Sequence, residues 1–589
     1  MTCEEQAPGR RERTAAGAGS ECLFWATAVL LLFLFLGTAP LSGGEDRWAE
    51  GAREMLLSGD WSFFQLNFEK IPDAPLLPCW VMAPFLRLFG NSELAVRFPG
   101  ALAALAFLWG VRALGRHLFD PETARLGCWM ALGSCVFLCR GRMAVPDMPA
   151  AITGVLSAVW FLESKKAWGF NRALLFFFLC TAGFLLNGPA VLLLPGAVAL
   201  PLLSSGEYRR TLLSWRTAAA LTLALAAAAL LLCLPGVLKL FSARALPQEL
   251  SLPFLKQLGY ANVLRPLMRP PSEIQWQEWA MSLFRALMPW TPFLIAGWLA
   301  LLRNLQKISP ELKLTGIGMI VAVLIFGPFL FRRWHAVLPM TPLFLLFGAA
   351  GLNGYGAPGW EHKIRDVLFY TATGASSLFI GLLLAYPLWG KMGWSSPAPA
   401  PAFLPAAAGI LAWCGLFLDH KEGSPWSRLL RLPHRLGAAV FAATLLSGAV
   451  FSGARPVLQA ELRGERSFFL KVAAAAERDD LRPDQVLIYG GSLPEGYLFY
   501  NDLQQKLTRI SSLSESPAAR PGGVIVMFKN RKEVRNRFDR ETKELGITLS
   551  DPLTVKKKHR LRREETKNED YFAYPMELSK KNTLKGAVL

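Results

Sequence analysis

The chain has 589 residues, 52% of them hydrophobic, and its mean hydropathy is +0.31. These values exclude an ordinary soluble enzyme, and the length exceeds what a single membrane hairpin needs. The formal net charge of +19 does not by itself indicate a nucleic-acid partner, because Lys and Arg also collect in cytoplasmic loops and beside lipid headgroups. We therefore predict an α-helical multi-pass membrane protein that contacts membrane lipids and no nucleic acid.

Apolar runs recur along the first 453 residues. The first, residues 22–41, follows a basic tail at 1–21 and is long enough to span a bilayer as an uncleaved helix. With the runs that follow, the predicted number of transmembrane helices is about 13. These later runs lie near 93–111, 122–139, 148–163, 172–186, 188–205, 214–234, 281–302, 314–331, 336–353, 366–388, 401–419 and 436–452. Lys and Arg concentrate in alternate connections, which predicts a cytoplasmic N-terminus and an outer C-terminal region.

The sequence changes character after the last apolar run, where alternating charges and turn signals appear. Two strand patterns, a charged helix and a capping box are found there: 485–489, 524–528, 533–545, and Ser492 with Glu495. We predict a small extracytoplasmic α/β domain with a structural role at 454–589, following a transmembrane domain at 22–453.

The predicted first external loop, residues 43–92, contains a pattern typical of an amphipathic helix that begins near Asp46 and ends at Gly59. An apolar set and a charged set recur there at helical spacing: Trp48, Ala52 and Met55, and Arg47, Glu50 and Glu54. The pattern predicts an interfacial helix, with its apolar face toward lipid and its charged face toward water or a site.

Carboxylates occur beside apolar segments at three places on the predicted outer side. Glu45 and Asp46 begin the loop helix, Glu69 precedes Lys70, and Asp147 follows the third apolar run. Because charge near a bilayer is costly, such residues are candidates for function, and we expect the three places to converge on one site. A simpler interpretation is also open, in which the loop charges solvate an interfacial helix and pair with one another.

Six short motifs follow one another along the membrane part of the chain. They are EDRWAE at 45–50, FEKIP at 68–72, VPDM at 145–148, NGP at 187–189, MPW at 288–290 and RRWHAVLP at 332–339. The ordered set resembles the polyprenyl-phosphate-dependent glycosyltransferases of the GT-C superfamily, which includes lipid A aminoarabinose transferases and protein O-mannosyltransferases. The resemblance implies a GT-C-like fold and transfer of a monosaccharide from a polyprenyl-phosphate donor to a lipid, protein or glycan acceptor.

Such a transfer needs a carboxylate base for the acceptor hydroxyl and cations for the phosphate leaving group. The resemblance implies three sets of site residues. They are catalytic Asp46, Glu45 and Asp147, donor-phosphate-binding Arg47, Lys70 and Arg333, and substrate-site Glu69, Asn187 and His335. The C-terminal region has no N-x-[ST] acceptor, which favours a bacterial source, and we expect a site on the periplasmic side of the inner membrane.

The chain also departs from the family's pattern. In an ungapped register the family's first acidic residue falls on Gly44, so that Glu45 or Asp46 would have to take its role, and the family's Lys before Gly-Pro is Asn187. The aminoarabinose transferases place a His in the loop that corresponds to 235–280, and this chain has none there. Although Glu69 is retained, we therefore predict no metal and no cofactor.

Two other functions stay open on the sequence alone. A family member without activity would bind lipid-linked sugar or act as an assembly scaffold, and Gly44 and Asn187 favour that alternative. The retained Arg47, Lys70 and Asp147 oppose it, because a scaffold has little use for costly charge. A transporter is less well supported, since the apolar runs contain few charges and no repeated half with matching broken helices.

Overall fold

A computed structural model describes most of the chain. The described residues are 9–71, 74–204, 206–242, 276–303, 308–330, 334–353, 363–375, 436–456, 465–479, 485–490, 495–513, 524–529, 531–545 and 571–576, with a few isolated positions between them. Two compact units are present, and each is described by itself. The helical unit comprises Met1–Leu36, Pro72–Pro78 and Arg97–Pro456, and the loop unit comprises Gly37–Ile71, Cys79–Val96 and Val457–Leu589.

The elements up to residue 242 are mostly helices. They are α1 (Gly9–Phe33), α2 (Glu45–Ser58), β1 (Phe64–Leu66), β2 (Glu69–Ile71), α3 (Leu77–Phe89), α4 (Glu93–Leu118), α5 (Pro121–Gly133), α6 (Cys135–Arg140), α7 (Asp147–Ser164), α8 (Phe170–Asn187), α9 (Leu193–Ala199), α10 (Gly206–Leu212) and α11 (Trp215–Ser242). Later helices span Trp276–Leu287, Thr291–Arg303, Pro310–Val321, Gly327–Leu330, Thr341–Leu352, Leu436–Gly448, Glu465–Arg478, Glu495–Tyr500 and Lys532–Leu545. The later strands are β3 (Val486–Tyr489), β4 (Thr508–Ile510), β5 (Val524–Lys529) and β6 (Tyr571–Met576).

Within the described ranges, five helical stretches are long and apolar enough to cross a membrane. They are Glu93–Leu118, Phe170–Asn187, Pro310–Phe329, Trp334–Leu352 and Leu436–Ala454. The pair Trp279–Leu287 and Thr291–Arg303, bent by 99°, adds a sixth if it counts as one span. Each of these stretches overlaps a predicted run, so the integral-membrane prediction is confirmed. The number of about 13 stays a prediction, and the runs at 366–388 and 401–419 fall largely outside the described residues.

The first helix differs from its prediction. It was expected at 22–41, but α1 ends at Phe33. Arg142 explains part of the difference, because its Nη1 donates to the carbonyls of Leu31 at 2.6 Å and Leu32 at 2.9 Å. These carbonyls have no partner further along the helix, and a buried guanidinium satisfies them.

Helices α7 and α8 form an antiparallel pair joined by a short connection, so the start of α7 and the end of α8 lie at the same end of the pair. Their close approach depends on Gly183, where an added Cβ would lie 2.2 Å from Thr153 Oγ1. This packing brings Asp147, the first residue of α7, close to Asn187, the last residue of α8.

In the loop unit, α2 packs on the β1–β2 hairpin, whose register pairs Phe64 with Ile71. Gly51 permits this contact, because a Cβ at that position would lie 2.4 Å from the Phe64 ring. A second sheet has the order β4-β3-β5-β6, with β3 parallel to β4 and β5, and β5 antiparallel to β6.

The strands predicted at 485–489 and 524–528 correspond to the two inner strands of this sheet, β3 and β5. Parallel strands are buried on both faces, which accounts for their continuous apolar sequences. Ser492 of the predicted capping box lies outside the described residues. The domain boundaries stay a prediction.

The predicted helix after Asp46 is present as α2, and Gly59 ends it in the left-handed conformation, at φ 65°. The predicted faces are wrong. Glu50, Glu54 and Met55 are all 0% exposed, so the apolar face is not free toward lipid, and Arg47 is the exposed member of the charged set. The buried residues pack inside the loop unit because the hairpin and the C-terminal segment cover them.

Candidate functional site

Asp147 is held by polar contacts at the start of α7. Its Oδ1 accepts a hydrogen bond from Asn187 Nδ2 at 2.9 Å, and its Oδ2 lies 3.5 Å from Arg140 Nη1. The aspartate is only 8% exposed, whereas Asn187 is exposed. Burying a carboxylate is costly unless a cation and hydrogen bonds compensate for the lost water, and Asp147 has both.

Arg140, the last residue of α6, joins the other members of this cluster. Its Nη2 lies 2.5 Å from His335 Nδ1, and its guanidinium carbon lies 5.9 Å from the centre of the Trp334 ring. Since a guanidinium only donates, His335 Nδ1 is the acceptor, which assigns the ring proton to Nε2. Arg140 is 9% exposed, and its buried Nε has no hydrogen-bond partner among the residues that the structure describes. The cluster therefore holds one donor that is not yet used.

Arg140 was missed by the sequence analysis. It ends the apolar run predicted at 122–139, immediately before the segment that contains Asp147. A charged residue at that boundary was a usable signal, but its pairing with Asp147 depends on how the turn folds. Arg142, by contrast, donates to helix carbonyls and has a structural role.

The acidic start of α2 has a different environment. Glu45 is 1% exposed, and its Oε2 accepts the backbone N–H of Ser42 at 3.0 Å. Asp46 is half-buried, and Arg47 is exposed with its guanidinium carbon 5.5 Å from the centre of the Phe64 ring. Glu45 therefore stabilises the turn before the helix, while Asp46 and Arg47 are the accessible charges.

Gly44 precedes this helix with φ 90°, in the left-handed region that favours glycine, and an added Cβ would meet nothing within 4 Å. The position has room for a side chain, but its backbone conformation disfavours one.

The hairpin carries the next two candidates. Glu69 Oε1 lies 2.9 Å from Lys506 Nζ, and its Oε2 lies 3.3 Å from Arg509 Nη2. The hydrogen bond from Lys506, aided by Arg509, lowers the pKa of Glu69. Lys70 is exposed, and its Nζ lies 4.6 Å from the centre of the Phe63 ring. Lys70 can thus offer its ammonium to an anion.

A buried polar network also lies in the loop unit, and it contains Glu50 and Glu54 of the predicted charged set. Arg53 donates to both carboxylate oxygens of Glu50, at 2.7 and 2.8 Å, and to Asp502 Oδ1 at 2.9 Å. Glu54 lies beside Glu50, and burial, with the repulsion of that neighbour, raises the pKa of Glu54 to about 8.

The structure brings Asp147, Asn187 and His335 together around Arg140, and it places five other candidates in the loop unit: Glu45, Asp46, Arg47, Glu69 and Lys70. Arg333 lies outside the described residues. Convergence of the charged places on one site stays a prediction. Among the described residues, no group of three or more His, Cys, Asp or Glu could hold a metal ion, and the absence of a metal also stays a prediction.

Comparisons with known proteins agree with the motifs. The family model described as dolichyl-phosphate-mannose-protein mannosyltransferase matches residues 73–235. The undecaprenyl phosphate-alpha-4-amino-4-deoxy-L-arabinose arabinosyl transferase 1 of Sodalis glossinidius is 25% identical over 460 residues, which are 74% of this chain and 72% of the relative. The corresponding transferase of Pectobacterium atrosepticum is 24% identical over 464 residues, 72% and 76% of the two chains.

A solved structure shows the same fold. The crystal structure of ArnT from Cupriavidus metallidurans in the apo state has a TM-score of 0.63 at 18% identity and covers 95% of this chain and 98% of its own. The same protein bound to undecaprenyl phosphate has a TM-score of 0.62 at 16% identity, with 94% and 97% covered.

Fold, motifs and family model together define the class. The chain is a membrane glycosyltransferase with the GT-C fold, and the predicted resemblance to polyprenyl-phosphate-dependent transferases is confirmed. Within that class, its similarity over about three quarters of its length is to bacterial aminoarabinose transferases.

Proposed function

We propose that this protein moves a monosaccharide from an undecaprenyl-phosphate-linked donor to a lipid acceptor on the outer, periplasmic face of the bacterial inner membrane. The observation that carries the proposal is the Asp147 cluster, a buried ion-paired carboxylate with an exposed amide and an unused guanidinium donor. Such costly polar groups between apolar helices are typical of a substrate site. The similarity to transferases named for an undecaprenyl phosphate sugar supports the choice of donor.

The reaction consists of one proton transfer, the formation of one bond and the cleavage of another. A carboxylate takes the proton of the acceptor hydroxyl, the hydroxyl oxygen bonds to the anomeric carbon, and the bond from that carbon to the phosphate oxygen breaks. We assign the base to Asp46, because it is half-buried whereas Glu45 is only 1% exposed. Arg47 and Lys70, both exposed, would stabilise the negative charge that develops on the departing phosphate.

Asp147 has a different part in this proposal. Its two oxygens are directed by Asn187 and Arg140, so that its remaining lone pairs can accept sugar hydroxyls. The Arg140 Nε can donate to the same substrate, and His335 holds the Arg140 guanidinium through its Nδ1. We therefore expect Asp147 to orient the sugar and Asp46 to accept the proton.

The test is transfer by the purified protein in lipid nanodiscs, with a set of polyprenyl-phosphate sugars as donors and a bacterial lipid extract as acceptor. We expect release of polyprenyl phosphate by the wild type, with a loss of about 100-fold or more in kcat/KM in Asp147→Asn and Asp46→Asn. The matched control is Glu163→Gln at the opposite end of α7, where the exposed carboxylate pairs with His117, and it should retain wild-type rates.

Two outcomes would overturn this proposal. Tight donor binding by the wild type with no release of polyprenyl phosphate would identify a lipid-linked-sugar binder or scaffold instead, and Gly44→Asp could then be tested for gain of transfer. Undiminished transfer in both Asp variants would remove the assigned residues from the reaction.

A further inference from the structure

The turn of the β1–β2 hairpin has an unusual backbone. Its two residues, Asn67 and Phe68, both have φ 57°, in the left-handed region. Asn tolerates this region, but a bulky residue such as Phe rarely adopts it unless its surroundings hold it there. The contacts of this turn therefore decide where the following residues, Glu69 and Lys70, are placed.

Glu54 supplies the first of these contacts from α2. Its Oε1 accepts the backbone N–H of Asn67 at 2.5 Å, and its Oε2 accepts the backbone N–H of Phe68 at 2.8 Å. The glutamate is 0% exposed, so water does not compete for these amides. One carboxyl group thus ties the end of α2 to both residues of the turn.

The second contact comes from the C-terminal segment. Asn67 Nδ2 donates to the carbonyl of Leu507 at 2.9 Å, and its Oδ1 accepts the N–H of Leu507 at 2.7 Å. The side-chain amide pairs with the backbone much as a neighbouring strand would, and Asn67 is 0% exposed. Residues on either side of Leu507 bind Glu69, through Lys506 at 2.9 Å and Arg509 at 3.3 Å.

The same segment also holds α2. Arg53 donates to Asp502 Oδ1 at 2.9 Å and to the carbonyl of Leu503 at 2.7 Å. Residues 502–509 therefore contact both helix α2, which contains Asp46, and the β1–β2 hairpin, which contains Lys70. We call residues 502–509 the clamp segment.

We propose that the clamp segment is a positioning element of the glycosyltransferase site: through Asn67 it fixes the hairpin so that Lys70 is presented to the donor phosphate. The proposal rests on the proposed function, because it takes Lys70 as a phosphate-binding residue. It gives the C-terminal region a part in donor binding, with Asn67 as a positioning residue that does not itself touch the substrate.

Asn67→Gly is the sharpest test, because glycine adopts the left-handed backbone and only the side-chain amide is lost. The matched control is Asn501→Gly, which removes an amide that donates to the carbonyl of Tyr497 within the C-terminal region. Two readouts are compared in nanodiscs: the KM and kcat for the polyprenyl-phosphate donor, and hydrogen exchange of hairpin amides 64–71 against strands β3 and β5.

We expect Asn67→Gly to raise the donor KM about 10-fold with kcat within about 3-fold, since ground-state binding is lost rather than chemistry. Hairpin amides should exchange at least about 10-fold faster while β3 and β5 keep their protection. Asn501→Gly should stay within about 2-fold of wild type in KM and in hairpin exchange.

Unchanged KM and hairpin exchange in Asn67→Gly would overturn the proposal, as would equal acceleration of exchange in β3 and β5, which indicates general destabilisation. If Asn67→Gly does not fold, Asn67→Asp keeps the acceptor for the Leu507 amide and should show the same pattern in weaker form. A wild type without transfer from any donor would refute the proposed function alone, because the Kd for the donor and the hairpin exchange still report on the clamp segment.

Discussion

Asp147 in the helical unit and Glu54 in the loop unit are both buried carboxylates, 8% and 0% exposed, but they are satisfied in different ways. Asp147 pairs with Arg140, seven residues earlier, and the Nε of Arg140 is a donor without a partner among the described residues. Glu54 is enclosed by backbone amides of the hairpin, in a network that continues through Arg53 to the C-terminal segment. The Asp147 cluster, which keeps a donor available, is suited to binding a ligand. The Glu54 network, which encloses its carboxylate, is suited to positioning the hairpin.

The largest loss of stability is expected from removing Arg140, the cation that pairs with Asp147 in the helical unit. Arg140→Ala leaves the buried carboxylate of Asp147 without its cation, and losing one partner of a buried pair costs about 3–5 kcal/mol. We expect a large drop in the apparent Tm of the detergent-purified protein. The control is His117→Ala, which breaks an exposed pair with Glu163 and should cost less than about 1 kcal/mol. Equal shifts in the two variants would contradict the buried ion pair.

A smaller effect is expected in the loop unit from Gly51→Ala. The new methyl would lie 2.4 Å from the Phe64 ring and force α2 from the hairpin, at a cost of about 1–3 kcal/mol. Hydrogen exchange of the hairpin measures this directly. Gly169→Ala, where an added Cβ meets nothing within 4 Å, is the control and should leave exchange unchanged. Normal hairpin protection in Gly51→Ala would show that the two elements are not closely packed.

A third effect in this comparison depends on pH and on Glu54 alone. The pKa of Glu54 is raised to about 8 by burial, so the folded loop unit binds a proton that the unfolded chain has already lost. Its contribution to stability is complete below the ordinary carboxyl pKa of about 4.3 and is lost as the pH rises toward 8. We expect the apparent Tm to fall by a few degrees between pH 5 and pH 9.

Glu54→Gln is the control for this pH effect, because it should flatten the fall and leave only the titration of other groups. Glu69 does not interfere, since its pKa is lowered and it loses its contribution only in more acidic solution. A slope that is unchanged in Glu54→Gln would exclude Glu54 as its source.

Much of the architecture was predictable because helical and strand periodicities are local properties. The extent of α2, its end at Gly59 and the strands β3 and β5 were all recognised from spacing alone. The end of α1 was not, because it depends on Arg142, a residue more than 100 positions away that takes the terminal carbonyls.

In the candidate site, too, some residues were predictable from local sequence and others depend on residues far away in the chain. Asp147, Asn187 and His335 were predicted from motifs. Arg140, the partner of Asp147 and His335, was not, because no local pattern marks which arginine turns inward. In the loop, Glu50 and Glu54 were assigned to a face toward water or a site. Their burial depends on a segment about 450 residues further along the chain.

The amino-acid sequence by itself determined the class of protein, the helices with their apolar patterns, and the charged motifs at the ends of these helices. It did so because hydropathy, periodicity and motif order can be read within short windows. Only the tertiary structure decided which charges are paired, which are buried and which remain accessible. Burial and pairing depend on neighbours that chain folding brings together, as with Asn67 and Leu507, and no window of the sequence contains both.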